Sequence, residues 1–234
     1  MSALKSLPAR MKGPANSVAH GGEWSAGLQK ARVYEQILLD IILGDLPPMS
    51  VLDEKSLAEA YAAGIAGVRE ALGRLALEGL VIRRPRVGTV VAPLDIREVE
   101  HAFEVRHMLE ARTAALAARN ATADDIAAIT TAFDGAEDSI EKADFRAMLA
   151  MDRAFHRRVA LATGNPTLAR FIISLQNVAT RFWIWAMEKQ SRDAQLKDVA
   201  LHRALGAAIA DRDPIAAEAA AAKLVGDPPS AYRG

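Results

Sequence analysis

The 234-residue chain is 51% hydrophobic and 25% charged, an ordinary balance for a globular protein with a real core, and its length favours two domains of roughly 70 and 130 residues. Its 29 basic and 29 acidic residues cancel, which excludes an overall field strong enough to draw it to nucleic acid or an anionic membrane, so any DNA contact must come from a local patch. The absence of cysteine excludes disulfides and Cys-based zinc sites and fits a reducing compartment, making the cytoplasm the expected location.

Residues 1–26 carry Lys5, Pro8, Arg10, Lys12, Pro14 and Gly21-Gly22 without the apolar stretch of a signal peptide, and are expected to form a flexible tail. No apolar run approaches the roughly 18 residues needed to span a bilayer, so a soluble chain without a membrane partner is expected. Alanine and leucine dominate while aromatics make up only 5%, which predicts a mainly α protein.

Residues 27–92 read as one domain. Val33, Ile37, Leu38, Ile41 and Ile42 recur at helical spacing between Leu28 and Leu43, and Gly44 stops the run. A second, short helix follows the polar lead-in to Lys55, with Leu57, Ala58 and Tyr61 inward and an end near Ala62. A third begins near Ile65, because Ile65, Val68, Leu72 and Leu75 share a stripe that Gly79 closes. Leu80-Val81-Ile82 and Val87-Gly88-Thr89-Val90-Val91 then flank the basic turn Arg83-Arg84-Pro85-Arg86, which predicts a β-hairpin. Three helices and a hairpin are the order of a winged helix-turn-helix.

Beyond Pro93, which marks the expected linker, residues 96–226 predict an all-α bundle with helices at about 96–119, 122–140, 143–162, 166–190, 194–211 and 213–225. The boundaries rest on Thr122 as an N-cap, the break Gly164-Asn165-Pro166, and Asp213-Pro214 as cap and first helical residue. Residues after Gly226 are expected to fray.

The N-terminal part resembles the GntR family of regulators through Gly44-Asp45-Leu46-Pro47-Pro48, Leu57-Ala58-Glu59, Val68-Arg69-Glu70-Ala71-Leu72-Gly73-Arg74-Leu75, Glu78-Gly79-Leu80-Val81 and Val87-Gly88-Thr89-Val90-Val91. The helical part is similar to the FCD ligand-binding domain of the FadR subfamily through Phe103-Glu104-Val105-Arg106, Leu109-Glu110, Asp152, Phe155-His156, Gly164-Asn165-Pro166, His202, Ala208-Ile209 and Asp213. The pair of resemblances implies a homodimeric transcriptional regulator, in the first instance a repressor, that binds a double-stranded DNA operator and senses a small carboxylate effector.

In a winged helix the start of the third helix lies near base edges while the wing holds phosphates. Arg69 is the candidate for base readout, since a guanidinium matches guanine O6 and N7; the competing reading is a surface ion pair with a nearby carboxylate. Arg83, Arg84, Arg86 and Thr89 are candidates for phosphate or minor-groove contacts, against a plain solvated turn. Lys55 and Arg74 complete the basic set. Where the family opens this helix with a Ser-Arg-Thr-Pro type sequence, the chain has Gly64-Ile65-Ala66-Gly67, which predicts weak or relaxed recognition, or an unusual operator.

Asp152 and His156 stand four residues apart, so a helix puts carboxylate and imidazole one turn apart on one face, a pair suited to a divalent metal. The resemblance implies that these two and His202 are ligands. Its usual fourth ligand, a histidine about 22 residues after His202, is replaced by Leu224, with Lys223 beside it. Three ligands with water or an effector carboxylate still suit zinc, nickel or manganese; the alternative is a hydrogen-bonded Asp–His pair without metal. Arg106 matches the position that clamps the effector carboxylate, against a surface salt bridge with Glu110 at i+4. Arg181, beside Phe182, Trp183 and Trp185, is a second candidate for the effector cavity, against a cluster that is simply core or dimer contact.

Two other functions compete. An Asp-His-His centre with open positions would let a metal-dependent hydrolytic enzyme activate water, although nothing pairs a nucleophile with a dedicated base and the winged helix would go unexplained. A ligand- or metal-binding protein that kept the fold but lost operator recognition is the other. The expectation is a regulator and not an enzyme.

Overall fold

The computed structural model describes residues 25–226, with side chains from residue 31 onward. The N-terminal tail expected over residues 1–26 lies outside the described residues except for its last two, which already belong to the first helix, and the end beyond Gly226 lies outside as well. The chain clusters into two compact units that divide between Pro93 and Leu94.

The first unit contains α1 (Ser25–Ile42), α2 (Glu54–Ala60), α3 (Ile65–Leu77) and the antiparallel strands β1 (Val81–Arg84) and β2 (Gly88–Val91). Its core is the predicted stripe except for Ile65, with Val33, Ile37, Leu38, Ile41, Leu57, Val68, Leu72 and Leu75 all buried and closed below by Leu80, Val81, Val90 and Val91. Ile65, expected on the stripe, is 46% exposed because it stands at the first position of α3, ahead of the packed turns. Asp53 caps α2 by accepting from Ser56 N at 2.8 Å, which draws Lys55 into the helix rather than leaving it in a lead-in. The strands pair from Val81 opposite Val91 to Arg84 opposite Gly88. Burial is graded along the hairpin: Val81, Val90 and Val91 at its base are buried, and Arg83 and Arg84 towards the turn are in solvent.

The second unit is all helical: α4 (Ile96–Asn120), α5 (Ala123–Thr130), α6 (Ala136–Glu141), α7 (Phe145–Ala162), α8 (Pro166–Met187), α9 (Arg192–Ala210) and α10 (Pro214–Val225). Its starts are capped as the sequence predicts. Thr122 and Asp125 form a reciprocal capping box, and Asn165 and Asp213 each accept from two amides ahead of a proline in the first turn. Buried alanines on α4 (Ala114, Ala117 and Ala118) and on α10 (Ala217 and Ala221) let these two helices pack closely.

One helix expected at 122–140 is two. It stops at Thr130 and restarts at Ala136, because Gly135 adopts a left-handed backbone with φ 82°, which glycine takes without a Cβ clash. At the break the Phe133 carbonyl accepts from Ala136 N at 3.2 Å and also from Arg203 of α9 at 2.9 Å, the same guanidinium pairing with Glu137. The turn thereby fixes Phe133, 2% exposed, with its ring centroid 4.4 Å from that of His202.

Candidate nucleic-acid interface and metal centre

On the winged-helix unit, the exposed face of α3 begins with Gly64, Ile65 and Ala66 and reaches a charged group only at Arg69 and Glu70. Gly64 is the N-cap and makes no side-chain bond. Arg69 bonds Glu54 of α2 through Nε at 3.1 Å and Nη2 at 2.7 Å, so it carries the surface ion pair that was one of its two readings. The pair is exposed, and exchange of Glu54 for a phosphate or base is not opposed by burial. Lys55 is exposed on the first turn of α2, and Arg83, Arg84 and Arg86 are exposed together around the hairpin turn. Thr89 is half-buried opposite Arg83, and its carbonyl accepts from Leu52 N at 2.8 Å. Arg74 is separate from this set: its guanidinium lies 3.8 Å over the ring of Tyr34.

The helical unit brings Asp152 and His156 of α7 together with His202 of α9, all buried. These polar residues occupy the same α7 stripe as Met148, Leu149, Phe155 and Val159, so helical periodicity drives them inward. His156 Nε2 lies 3.6 Å from Asp152 Oδ1, His202 Nε2 lies 3.5 Å from the same oxygen, and the two Nε2 atoms are 3.3 Å apart. Donors held at about 2.0–2.1 Å on one tetrahedral ion are separated by about 3.3–3.4 Å, so the triangle has the dimensions of a zinc-type site.

The surrounding groups fix which atoms point inward. His202 Nδ1 lies 2.9 Å from the Asp198 carbonyl oxygen, which only accepts, so this nitrogen carries the hydrogen and turns Nε2 into the centre. Glu110 Oε2 stands 3.8 Å from His156 Nδ1 and favours the same tautomer. Gln176 donates to Asp152 Oδ2 at 3.0 Å, which presents the other oxygen alone. Two ring nitrogens and a carboxylate oxygen therefore converge without a donor among them, and the arrangement calls for a cation: a proton in the bare protein, or a metal ion.

The electrostatics agree. Burial pushes the His156 pKa down to about 4 against the pull of Asp152 and Glu110. Burial also opposes charge on His202, yet the hydrogen bond to Asp152 and the field of Asp198 outweigh it and raise its pKa above the ordinary 6.5. Burial disfavours ionised Asp152 too, but His156, His202 and Arg106 hold its carboxyl down at about 2. In the bare centre, charge on an imidazole is thus favoured at His202 over His156, beside an ionised Asp152.

Arg106 is buried and bonds Glu110 through Nε, so the pair considered for the surface lies in the interior beside the histidines. Arg181 is buried on α8, where burial lowers its pKa. Its aromatic neighbours divide: Phe182 belongs to a core cluster with Val99, Phe103 and Val225, and Trp185 is 41% exposed under the ammonium of Lys189. Leu224 is half-buried and Lys223 exposed, so no lysine charge opposes a cation from that position. Sequence reasoning missed Gln176, Thr180 and Asp198. Asp198 had a signal, standing four residues before His202; Gln176 and Thr180 had only their polarity on a mostly apolar helix. Gln176 Oε1 and Thr180 Oγ1, one turn apart, are buried with no hydrogen-bond partner among the described residues.

A winged helix followed by a helical bundle with a buried polar centre defines a class of protein, a one-chain regulator with separate DNA-reading and sensing units. The chain matches the gntR family of bacterial regulatory proteins over residues 29–91 and the FCD domain over residues 101–227. It belongs to the GntR family, in the FadR-like branch that carries an FCD domain, and is a DNA-binding transcriptional regulator. One relative is the probable D-xylose utilization operon transcriptional repressor of Paenarthrobacter nicotinovorans, 32% identical over 192 residues that cover 80% of this chain and 81% of the relative. Another is the HTH-type transcriptional repressor GlaR of Escherichia coli strain K12, 30% identical over 191 residues, 77% of this chain and 84% of the relative. The solved structure of E. coli McbR/YncC shares the fold with a TM-score of 0.73 at 23% identity, covering 84% of this chain and 92% of that one. No helix among the described residues is long and apolar enough to cross a membrane.

Proposed function

We propose that this regulator is a homodimeric repressor whose hold on its operator is set by a small organic acid, bound in the helical unit beside a divalent metal ion. The observation that carries the reading is the buried convergence of Asp152 Oδ1, His156 Nε2 and His202 Nε2 with no donor between them. Zinc, nickel or manganese fits these donors, and such an ion supplies a Lewis-acidic anchor for a carboxylate oxygen. Arg106 bonds Glu110 through Nε alone, leaving the terminal amines of its fork to the acid, and Arg181 adds a second buried cation. The orphaned Gln176 Oε1 and Thr180 Oγ1 would accept from the hydroxyl or protonated groups of such a ligand, since a buried acceptor left alone costs about 1–3 kcal/mol. Glu110 and Asp198 each face a histidine, which suits holding an ion and leaves the hydrolytic alternative without a base of its own. On the other unit, Arg69, Lys55, Arg83, Arg84, Arg86 and Thr89 contact the duplex, and Arg74 serves through its stacking on Tyr34.

The test combines a thermal-shift screen of organic acids, with and without divalent metal, and anisotropy titration of the chain's own upstream duplex. An acid selective for the folded protein raises its melting temperature. We expect one acid to do so only with metal present and to weaken duplex binding, and Asp152→Ala to lose both responses while keeping the bare duplex affinity. No response to any acid and metal together, or an unchanged response in Asp152→Ala, would contradict the proposal.

A further inference from the structure

Taking the DNA-binding role of the winged helix as given, we infer that Ile65, seconded by Ala66, reads thymine methyl groups in the major groove, so that operator choice rests on apolar contact where α3 enters the DNA. Ile65 is the first residue of α3 and is 46% exposed, a β-branched apolar side chain with no core to fill. Ala66 beside it is exposed as well, and Gly64 and Gly67 on either side carry no side chain that would shield them or hold the backbone back. The first turn of the helix thus offers no hydrogen-bonding side chain before Arg69, and Arg69 is held to Glu54.

In a helix-turn-helix the N-terminal residues of this helix stand at the base edges. Of the features a base pair shows in the major groove, the thymine methyl is the one an apolar side chain recognises. Charge complementarity favours DNA as the occupant: Lys55 at the start of α2 and Arg83, Arg84 and Arg86 in the wing of the same unit are exposed cations suited to phosphates. Affinity then comes from the wing and α2, and selection from methyl burial at Ile65.

Binding sites selected by the full chain from random duplexes supply the probe, and each thymine is then replaced by deoxyuridine, which removes the 5-methyl group alone. We expect at least one thymine in each half-site whose replacement weakens binding about fourfold, the effect of exposing one buried methyl. Ile65→Ala should bind with that difference erased, and Ile65→Arg should select guanine at the same position, since a guanidinium pairs with O6 and N7. Because Ile65 packs in no core, neither variant should unfold. Affinity indifferent to deoxyuridine throughout the site, or a difference that survives in Ile65→Ala, would overturn this inference while leaving acid-responsive regulation intact. Absence of binding to any duplex would overturn both.

Discussion

At the scale of single residues, the proposed metal centre in the helical unit sets one proton against one metal ion. His202, with its pKa raised above 6.5, is the imidazole that favours the proton; His156, held at about 4, is already neutral near pH 7. Metal needs both imidazoles neutral and displaces only the proton on His202. As pH falls through the His202 pKa, apparent zinc affinity should therefore drop about tenfold per pH unit, the slope of one displaced proton, as measured by chelator competition between pH 8 and pH 5. Asp152→Asn removes the carboxylate that most favours the charged His202 imidazole, so the drop should begin at lower pH. A pH-independent affinity, or a slope of two protons, would refute the tautomers assigned here. Linkage in the metal-free protein follows with opposite signs. The raised His202 contributes stability fully below pH 6.5 and loses it as pH rises through its folded pKa, whereas the depressed Asp152 contributes above 3.8 and loses it as pH falls towards about 2. The convergence of Asp152 and His156 was legible because a carboxylate and an imidazole i,i+4 apart share one helical face. The role of Glu110 was not, because spacing alone made it a surface partner of Arg106, and only the packing of α4 against α7 turns it towards His156.

At the scale of elements, caps and breakers carried the sequence reading. Thr122, Asn165-Pro166 and Asp213-Pro214 mark real helix starts, since each puts an oxygen on orphan amides or a proline where no amide is needed. The break between α5 and α6 is masked in the sequence because Ile129 and Phe133 keep the apolar helical spacing across it, although Asp134-Gly135 is a turn-forming pair. The left-handed Gly135 predicts that Gly135→Ala destabilises the protein by about 1–2 kcal/mol, the Cβ penalty in that region. Gly73, in the middle of α3, has nothing within 4 Å of an added Cβ, so Gly73→Ala should stabilise by about 0.5–1 kcal/mol through helix propensity. Urea unfolding measures both; a stabilising Gly135→Ala would mean that the turn fixing Phe133 is not needed.

For the whole molecule, a formal net charge of zero makes DNA affinity a property of where the cations sit. Each phosphate contact contributes a slope of about −0.9 in log affinity against log salt. Replacing Arg83, Arg84 or Arg86 by Ala should each reduce that slope by about 1 and weaken binding evenly across sequences, whereas Ile65→Ala should change sequence preference and leave the slope alone. If the wing variants bind as the parent does across the salt range, the arginine turn is merely solvated. The division at Pro93 leaves the proposed DNA-reading groups in one unit and the proposed ligand-holding groups in the other, so regulation by that ligand requires a coupling free energy between them, and such coupling is reciprocal.

Calorimetric titration of the effector acid, with saturating metal, into the free protein and into its complex with the selected duplex tests that coupling most directly. The account predicts that DNA weakens acid binding by the same factor by which the acid weakens DNA binding, and that Asp152→Ala abolishes both. Equal acid affinity in the two titrations would contradict it.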